Sequence, residues 1–491
     1  MTTVSERTQR PPNLARRTLL IACGATFIAL LDLSVVNIAF PSLARDYPDT
    51  PVTTLTWVVS GYGVAFAALL TPAGRFADAL GRRRLFLIAL AAFALTSLLC
   101  GLAPDAATLI AGRVAQGAAA ALMMPAALGL ILAVTPRERI GAAIGAWSAA
   151  GSFAAVVGPP LGGALVEAFG WRAVFVVNVP IALALMLPAR GLPETGLRPP
   201  GSALPDPVGT VAVALGLGGL VVGVTEGQRW GWTAPTTLLA LGVGAALVAV
   251  AIARSARLTV TGRAAGAALA VGLWRSRPYA LANAASFVFA GAMYSWLMAG
   301  PLFLDAVWGY SVLGSAGAMT AGALTSMITA TAAGRITAPA VRRWAGVLGA
   351  LLFAAAALWM SSDSFGPDPA LWTAWIPAGV LGGGGIGLVL TALGTAAAAA
   401  LPPEQFAAGI GMNLTARQVG GALGVAVMAA VLAAHPGDAL TGLHTHFAVC
   451  AAIAALTGVR TPHPTRQGQP RARPPSGPTP PPQTRCCSKP P

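Results

Sequence analysis

Three charged residues stand where charge is costly. Asp32 falls near the middle of an apolar run over residues 18–40, and Arg113 inside another over 108–134. Arg417 is the third, within 408–433. A carboxyl removed from water resists ionisation, whereas a nearby cation favours it, so Asp32 paired with Arg113 is a group able to take up and return a proton. Gln116 and Gly117 follow Arg113 by three and four residues and share roughly its helical face. Plainer readings exist: an arginine near a helix end can snorkel to water, and an aspartate can pair merely to fix packing. For Arg417, a gate and a helix-end cation stand level.

Catalytic chemistry has no comparable signal. The four histidines, His435, His444, His446 and His463, lie near the C-terminal end, and no Ser/His or His/Asp/Glu cluster accompanies the buried charges. Cys23, Cys100, Cys450, Cys486 and Cys487 lack metal or redox spacing. No G-x-x-x-x-G-K-[ST] phosphate loop is present, which argues against ATP drive. No catalytic residue, metal ligand or cofactor is therefore expected.

The surrounding sequence belongs in lipid. It is 56% hydrophobic and only 10% charged, where a water-soluble surface needs about 25% charged residues. Spanning a core about 30 Å thick takes about 20 apolar residues per helix. Candidate runs occur at 18–40, 54–74, 85–104, 108–134, 141–166, 172–190, 207–225, 235–253, 279–304, 311–334, 342–360, 371–400, 408–433 and 446–459. These are fourteen in all. The last is expected to be truncated, because Phe447–Val459 offers only 13 residues, about 20 Å of helix. No small-residue cleavage site follows the first run, which reads as a retained anchor.

Charge placement sets an orientation. With the N-terminus inside, 26 basic residues fall on one side and only Arg45, Arg172 and Arg229 on the other. That bias predicts an even helix count with both termini cytoplasmic. The formal charge of +15 is thus explained by anionic lipid rather than nucleic acid, since no basic face with interleaved aromatics occurs. Residues 461–491 hold 11 prolines in 31 positions and are expected to be disordered.

Motifs then repeat. Gly74-Arg-Phe-Ala-Asp78-Ala-Leu-Gly81-Arg82-Arg83 between the second and third runs has a worn copy, Gly334 to Arg343, between the tenth and eleventh. Helix four carries Arg113-Val-Ala-Gln116-Gly117 and helix five Gly158-Pro159-Pro160-Leu-Gly162-Gly163, followed by Trp171-Arg172, Phe175, Asn178 and Pro180. Helix one reads Leu31-Asp32-Leu-Ser34-Val-Val-Asn37-Ile-Ala-Phe-Pro41, and helix thirteen Asn413-Leu-Thr-Ala-Arg417-Gln418-Val-Gly420-Gly421. From about residue 15 to 435 the chain resembles the major facilitator superfamily, and within it the fourteen-helix drug:proton antiporters. Two positions depart from the pattern: Ala79 stands where a basic residue is usual, and Ala154 where a glycine is expected.

The resemblance implies an all-α polytopic membrane protein made of two six-helix pseudo-symmetric bundles plus two linker helices. The expected divisions are a cytoplasmic segment 1–17, a first bundle 18–190, a linker 191–278, a second bundle 279–460 and the tail 461–491. It implies an inner-membrane secondary transporter, acting as a monomer, that exchanges protons for lipophilic drugs or antibiotics, cationic ones included. Asp32 and Arg113 would couple protons; Gly74, Asp78, Gly81, Arg82 and Arg83 would gate; and Gly158, Pro159, Gly162 and Gly163 would form the antiporter motif. Asn37, Gln116, Glu226, Asp305 and Arg417 are candidates for a substrate or second proton site. A dedicated exporter of one endogenous metabolite and an inactive truncated transporter are the alternatives.

Overall fold

The computed structural model describes residues 12–195 and 205–459. The expectation for the tail 461–491, and for most of the segment 1–17, lies outside them. Among the described residues fourteen helices carry the fold. The first bundle contains α1 (Pro12–Asp46), α2 (Trp57–Leu80), α3 (Arg82–Gly101), α4 (Ala106–Val134), α5 (Ile140–Phe169) and α6 (Asn178–Ala189). A single turn, Ala173–Val176, leads into α6. The extra pair is α7 (Pro207–Trp230) and α8 (Pro235–Val260). The second bundle contains α9 (Arg277–Ala306), α10 (Val312–Gly334), α11 (Pro339–Met360), α12 (Ile376–Ala399), α13 (Phe406–Ala433) and α14 (Ala439–Val459).

Helix ends follow local chemistry. Asp105 accepts from the Thr108 N–H at 2.8 Å to start α4, and Asp206 accepts from the Gly209 N–H at 2.9 Å to start α7, with Pro207 at its first position. Both carboxyls lie outside the spans and titrate below the usual range, Asp105 through the Thr108 hydrogen bonds and Asp206 chiefly through Arg254. Gly81 sits between α2 and α3 at φ 102°, a left-handed conformation that a side chain would strain.

The last helix corrects the sequence reading. It is 21 residues long, about 31 Å at about 1.5 Å per residue, so it is long enough to cross the membrane. Two of the polar residues in its first half have partners. The Thr445 hydroxyl donates to the Thr441 carbonyl at 2.9 Å, and a ring nitrogen of His444 lies 3.0 Å from the Phe365 carbonyl.

Small residues let the bundles close upon each other. A Cβ on Gly74 of α2 would strike the Ala407 carbonyl of α13, and one on Gly334 of α10 would strike Gly141 of α5. The motif and its worn copy therefore make the same kind of contact in the two halves. Helices α7 and α8 pack together through Gly216 and Gly244, and α7 rests on α2 and α13.

Candidate transport site

Asp32, in mid-α1, is enclosed by α3, α4 and α6. Its Oδ2 accepts from Arg113 Nη1 at 2.5 Å, while its Oδ1 accepts from Gln116 Nε2 at 3.0 Å and Asn178 Nδ2 at 2.9 Å. Arg113 also donates from Nη1 to Gln116 Oε1 at 2.7 Å and from Nε to the Val58 carbonyl at 2.7 Å. Its guanidinium lies 4.4 Å from the centre of the Tyr62 ring. Ser97 accepts from Gln116 and Asn178 and donates to the Phe175 carbonyl. Neither member of the Asp32–Arg113 pair has an exposed side chain. Arg113 Nη2 and Asn178 Oδ1 remain without a partner.

The carboxylate and the guanidinium are both fully buried, so the charge state of one bears directly on the other. With three donors aimed at one carboxylate, a proton arriving at Asp32 breaks the ion pair and leaves Arg113 to be satisfied elsewhere. Asn178 and Ser97 were not singled out as site residues from sequence. Asn178 was visible as a motif residue, whereas Ser97 is one of several small polar residues and carries no signal of its own.

A second constellation ties the halves together at the arginine-rich face. Asp78 accepts from the backbone N–H groups of Ala407 at 3.2 Å and Ala408 at 2.8 Å, in the first turn of α13. There the unpaired amides and the helix dipole favour an anion. Arg82 donates to Asp78 at 2.9 and 2.7 Å and crosses to the Pro403 carbonyl at 2.6 Å. Arg83 turns the other way, donating to the Leu192 carbonyl at 2.9 Å. Glu194, missed in the sequence, receives the N–H groups of Arg83 and Arg84 at 2.8 and 3.0 Å and so caps α3. At the position of Asp78 the worn copy holds Ala338, so only one of the two equivalent contacts has this carboxylate latch.

Beyond the latch, toward the opposite face, a cavity of about 560 Å³ lies between the halves. Leu70, Trp147, Leu390 and Leu414 line its deeper end. Asn37 and Pro159 line it from the first half, and Tyr294, Trp296, Trp375 and Arg417 from the second. Gly158 and Gly162 press α5 against Ser34 and Val35 of α1, while Gly163 faces open space. Helix α5 runs unbroken through Pro159 and Pro160.

The structure thus brings Asp32, Arg113 and Gln116 together but seals them beside the cavity rather than in it. Arg417 is mid-helix and faces the cavity, so the helix-end alternative does not hold. Glu226 pairs with Arg229 at 3.1 Å at the far end of α7, and Asp305 is exposed on α9; neither lines the cavity.

Two helical bundles around a central cavity, locked at one face, define a multi-pass membrane transporter. The family profile described as Major Facilitator Superfamily matches residues 22–424, and the chain belongs to that superfamily. It is 38% identical over 427 residues to the puromycin resistance protein pur8 of Streptomyces alboniger, covering 84% of this chain and 80% of that one. It is 34% identical over 467 residues to the cephamycin export protein CmcT of Amycolatopsis lactamdurans, covering 91% and 92%. The crystal structure of the human organic anion transporter MFSD10 (TETRAN) superposes with a TM-score of 0.66, covering 92% of this chain and 100% of that one. At 15% identity this last likeness is one of fold.

Proposed function

We propose that the protein is a proton-driven antiporter of the cytoplasmic membrane that exports lipophilic, antibiotic-like small molecules. The observation that carries this reading is the Asp32–Arg113 pair: a fully buried carboxylate on α1, the same helix that lines the cavity through Ser34 and Asn37. A proton on Asp32 releases Arg113 on α4, and the change reaches the cavity wall through α1 and its glycine contacts with α5. Resistance and export relatives covering most of the chain support outward transport. The basic bias supports cytoplasmic termini, and with that orientation the latched state is the outward-facing one. One copy of the chain encloses the cavity, which supports a monomeric transport unit.

The cephamycin export relative, whose name gives a single compound, favours a dedicated exporter as the second reading. The length of α14, 21 residues and enough to cross a membrane, does not favour the reading as an inactive truncated transporter. The test is uptake into inverted vesicles under an imposed pH gradient, over a panel of antibiotics. Uphill movement that collapses with a protonophore is expected. Transport indifferent to the protonophore overturns proton coupling.

A further inference from the structure

Arg417 is the only charged residue among those lining the cavity. It makes no hydrogen bond and no ion pair among the described residues, and its Nε is buried without a partner. No carboxylate lines the cavity to balance it. Asp32 is held by Arg113, Gln116 and Asn178, Asp78 by Arg82 and α13, and Glu226 by Arg229. Among the described residues these three carboxylates already have partners, whereas Arg417 faces the cavity without one.

We infer that the cavity selects anionic amphiphiles: flat, largely apolar molecules bearing one ionised acidic group, such as a carboxylate, phenolate or enolate. This deepens the exporter reading and rests on it only for the cavity being the substrate site. Arg417 is part-exposed to the cavity, and its buried Nε has no acceptor, a loss that an incoming acceptor can offset. An oxyanion returns that loss through bidentate hydrogen bonds together with an opposite charge, whereas a neutral acceptor supplies hydrogen bonds alone and a cation adds repulsion. Phe66, Trp147, Tyr294, Trp296 and Trp375 supply faces for a ring system, and about 560 Å³ suits a drug-sized ligand. A cation would enter with no counter-ion and with Arg417 opposing it. Exchange of one inward proton for one outward monoanion also moves two charges in the same electrical sense, so transport of such a substrate gains from a membrane potential.

Two xanthene dyes on one ring system test the charge: fluorescein, an anion, and a rhodamine ester, a cation. Binding to the purified full chain is read by fluorescence anisotropy in detergent, with Arg417→Gln and Arg417→Lys beside the wild type. Fluorescein should bind at least tenfold more tightly than the rhodamine ester. Arg417→Gln should collapse that ratio toward one, and Arg417→Lys should keep most of it. Should Arg417→Gln fail to fold, the wild-type ratio and the lysine variant decide alone. Equal binding of the two dyes, preference for the cation, or a ratio unmoved by Arg417→Gln overturns the inference. Transport is measured separately in inverted vesicles. Anion binding without transport would sink the exporter reading alone, whereas pumping of the rhodamine ester with fluorescein excluded would sink this inference and leave the exporter reading standing.

Discussion

The Asp78 carboxylate, near the end of α2, accepts the backbone N–H of Ala408 in the first turn of α13 at 2.8 Å, across 330 residues of chain. The two halves meet at the helix terminus of α13, and one side chain with its Arg82 brace fills it. The contact is strong enough to matter and small enough to break in a transport cycle, since a hydrogen bond to a charged group contributes about 1.5–3 kcal/mol.

Asp78→Ala should therefore open the arginine-rich face. Spin labels at Arg84→Cys and Glu404→Cys, both exposed on either side of the latch, read the separation. Loss of about 1.5–3 kcal/mol shifts a two-state population by roughly tenfold or more. The distance distribution should move from one short peak to a mainly longer one. An unchanged distribution would show that the glycine packing at Gly74 and Gly334 holds the face shut unaided.

Asp32→Asn keeps an oxygen that accepts from Gln116 and Asn178 but leaves the Arg113 cation unpaired, so it should insert and fold with reduced stability. It should abolish uphill efflux and the proton release that substrate triggers in detergent. Persistence of both in the variant would place coupling elsewhere, with Glu226 and Asp305 next in line.

Arg113→Ala leaves a carboxylate buried and uncompensated, at a cost of about 3–5 kcal/mol. Combined with Asp32→Asn, the same change should cost clearly less. Thermal unfolding followed with a thiol-reactive dye reports this, since Cys100 and Cys450 are free and buried in the folded protein. Equal costs in the two backgrounds would mean that Arg113 acts through packing on Tyr62 and Val58 rather than through its charge.

Topology has its own test. In a background without native cysteines, single cysteines at Asp49, Asp105, Arg229, Asp363 and Asp438 should react with an impermeant thiol reagent added outside, and one at Arg263 should not. All six positions are exposed, so accessibility depends on the side of the membrane alone. Labelling at Arg263 with protection at Arg229 and Asp363 would reverse the placement of α7 and α8.

The number of spans, their order and the paired halves were legible in the sequence, because lipid demands long apolar runs and short polar connections. The charged partners Asp32 and Arg113 were legible too, since an ionisable group at membrane depth must find a counter-ion or water. The last helix was not. Thr441, His444 and Thr445 make its opening turns resemble a loop, yet the helix as a whole is apolar enough to span, and carbonyls of α14 itself and of Phe365 satisfy two of those side chains.

Tertiary structure alone decided which buried charges remain available. In the sequence Asp32 stands out with Arg113 for proton coupling, while Glu226, Asp305 and Arg417 stand as candidates for a substrate or second proton site. Packing closes Asp32 behind Gln116 and Asn178, ties Glu226 to Arg229, leaves Asp305 exposed, and turns Arg417 unpaired into the cavity. The reason is that hydropathy and periodicity are properties of one helix at a time. Whether a charge is spent on a partner depends on where a different helix, tens or hundreds of residues away, delivers its own polar groups.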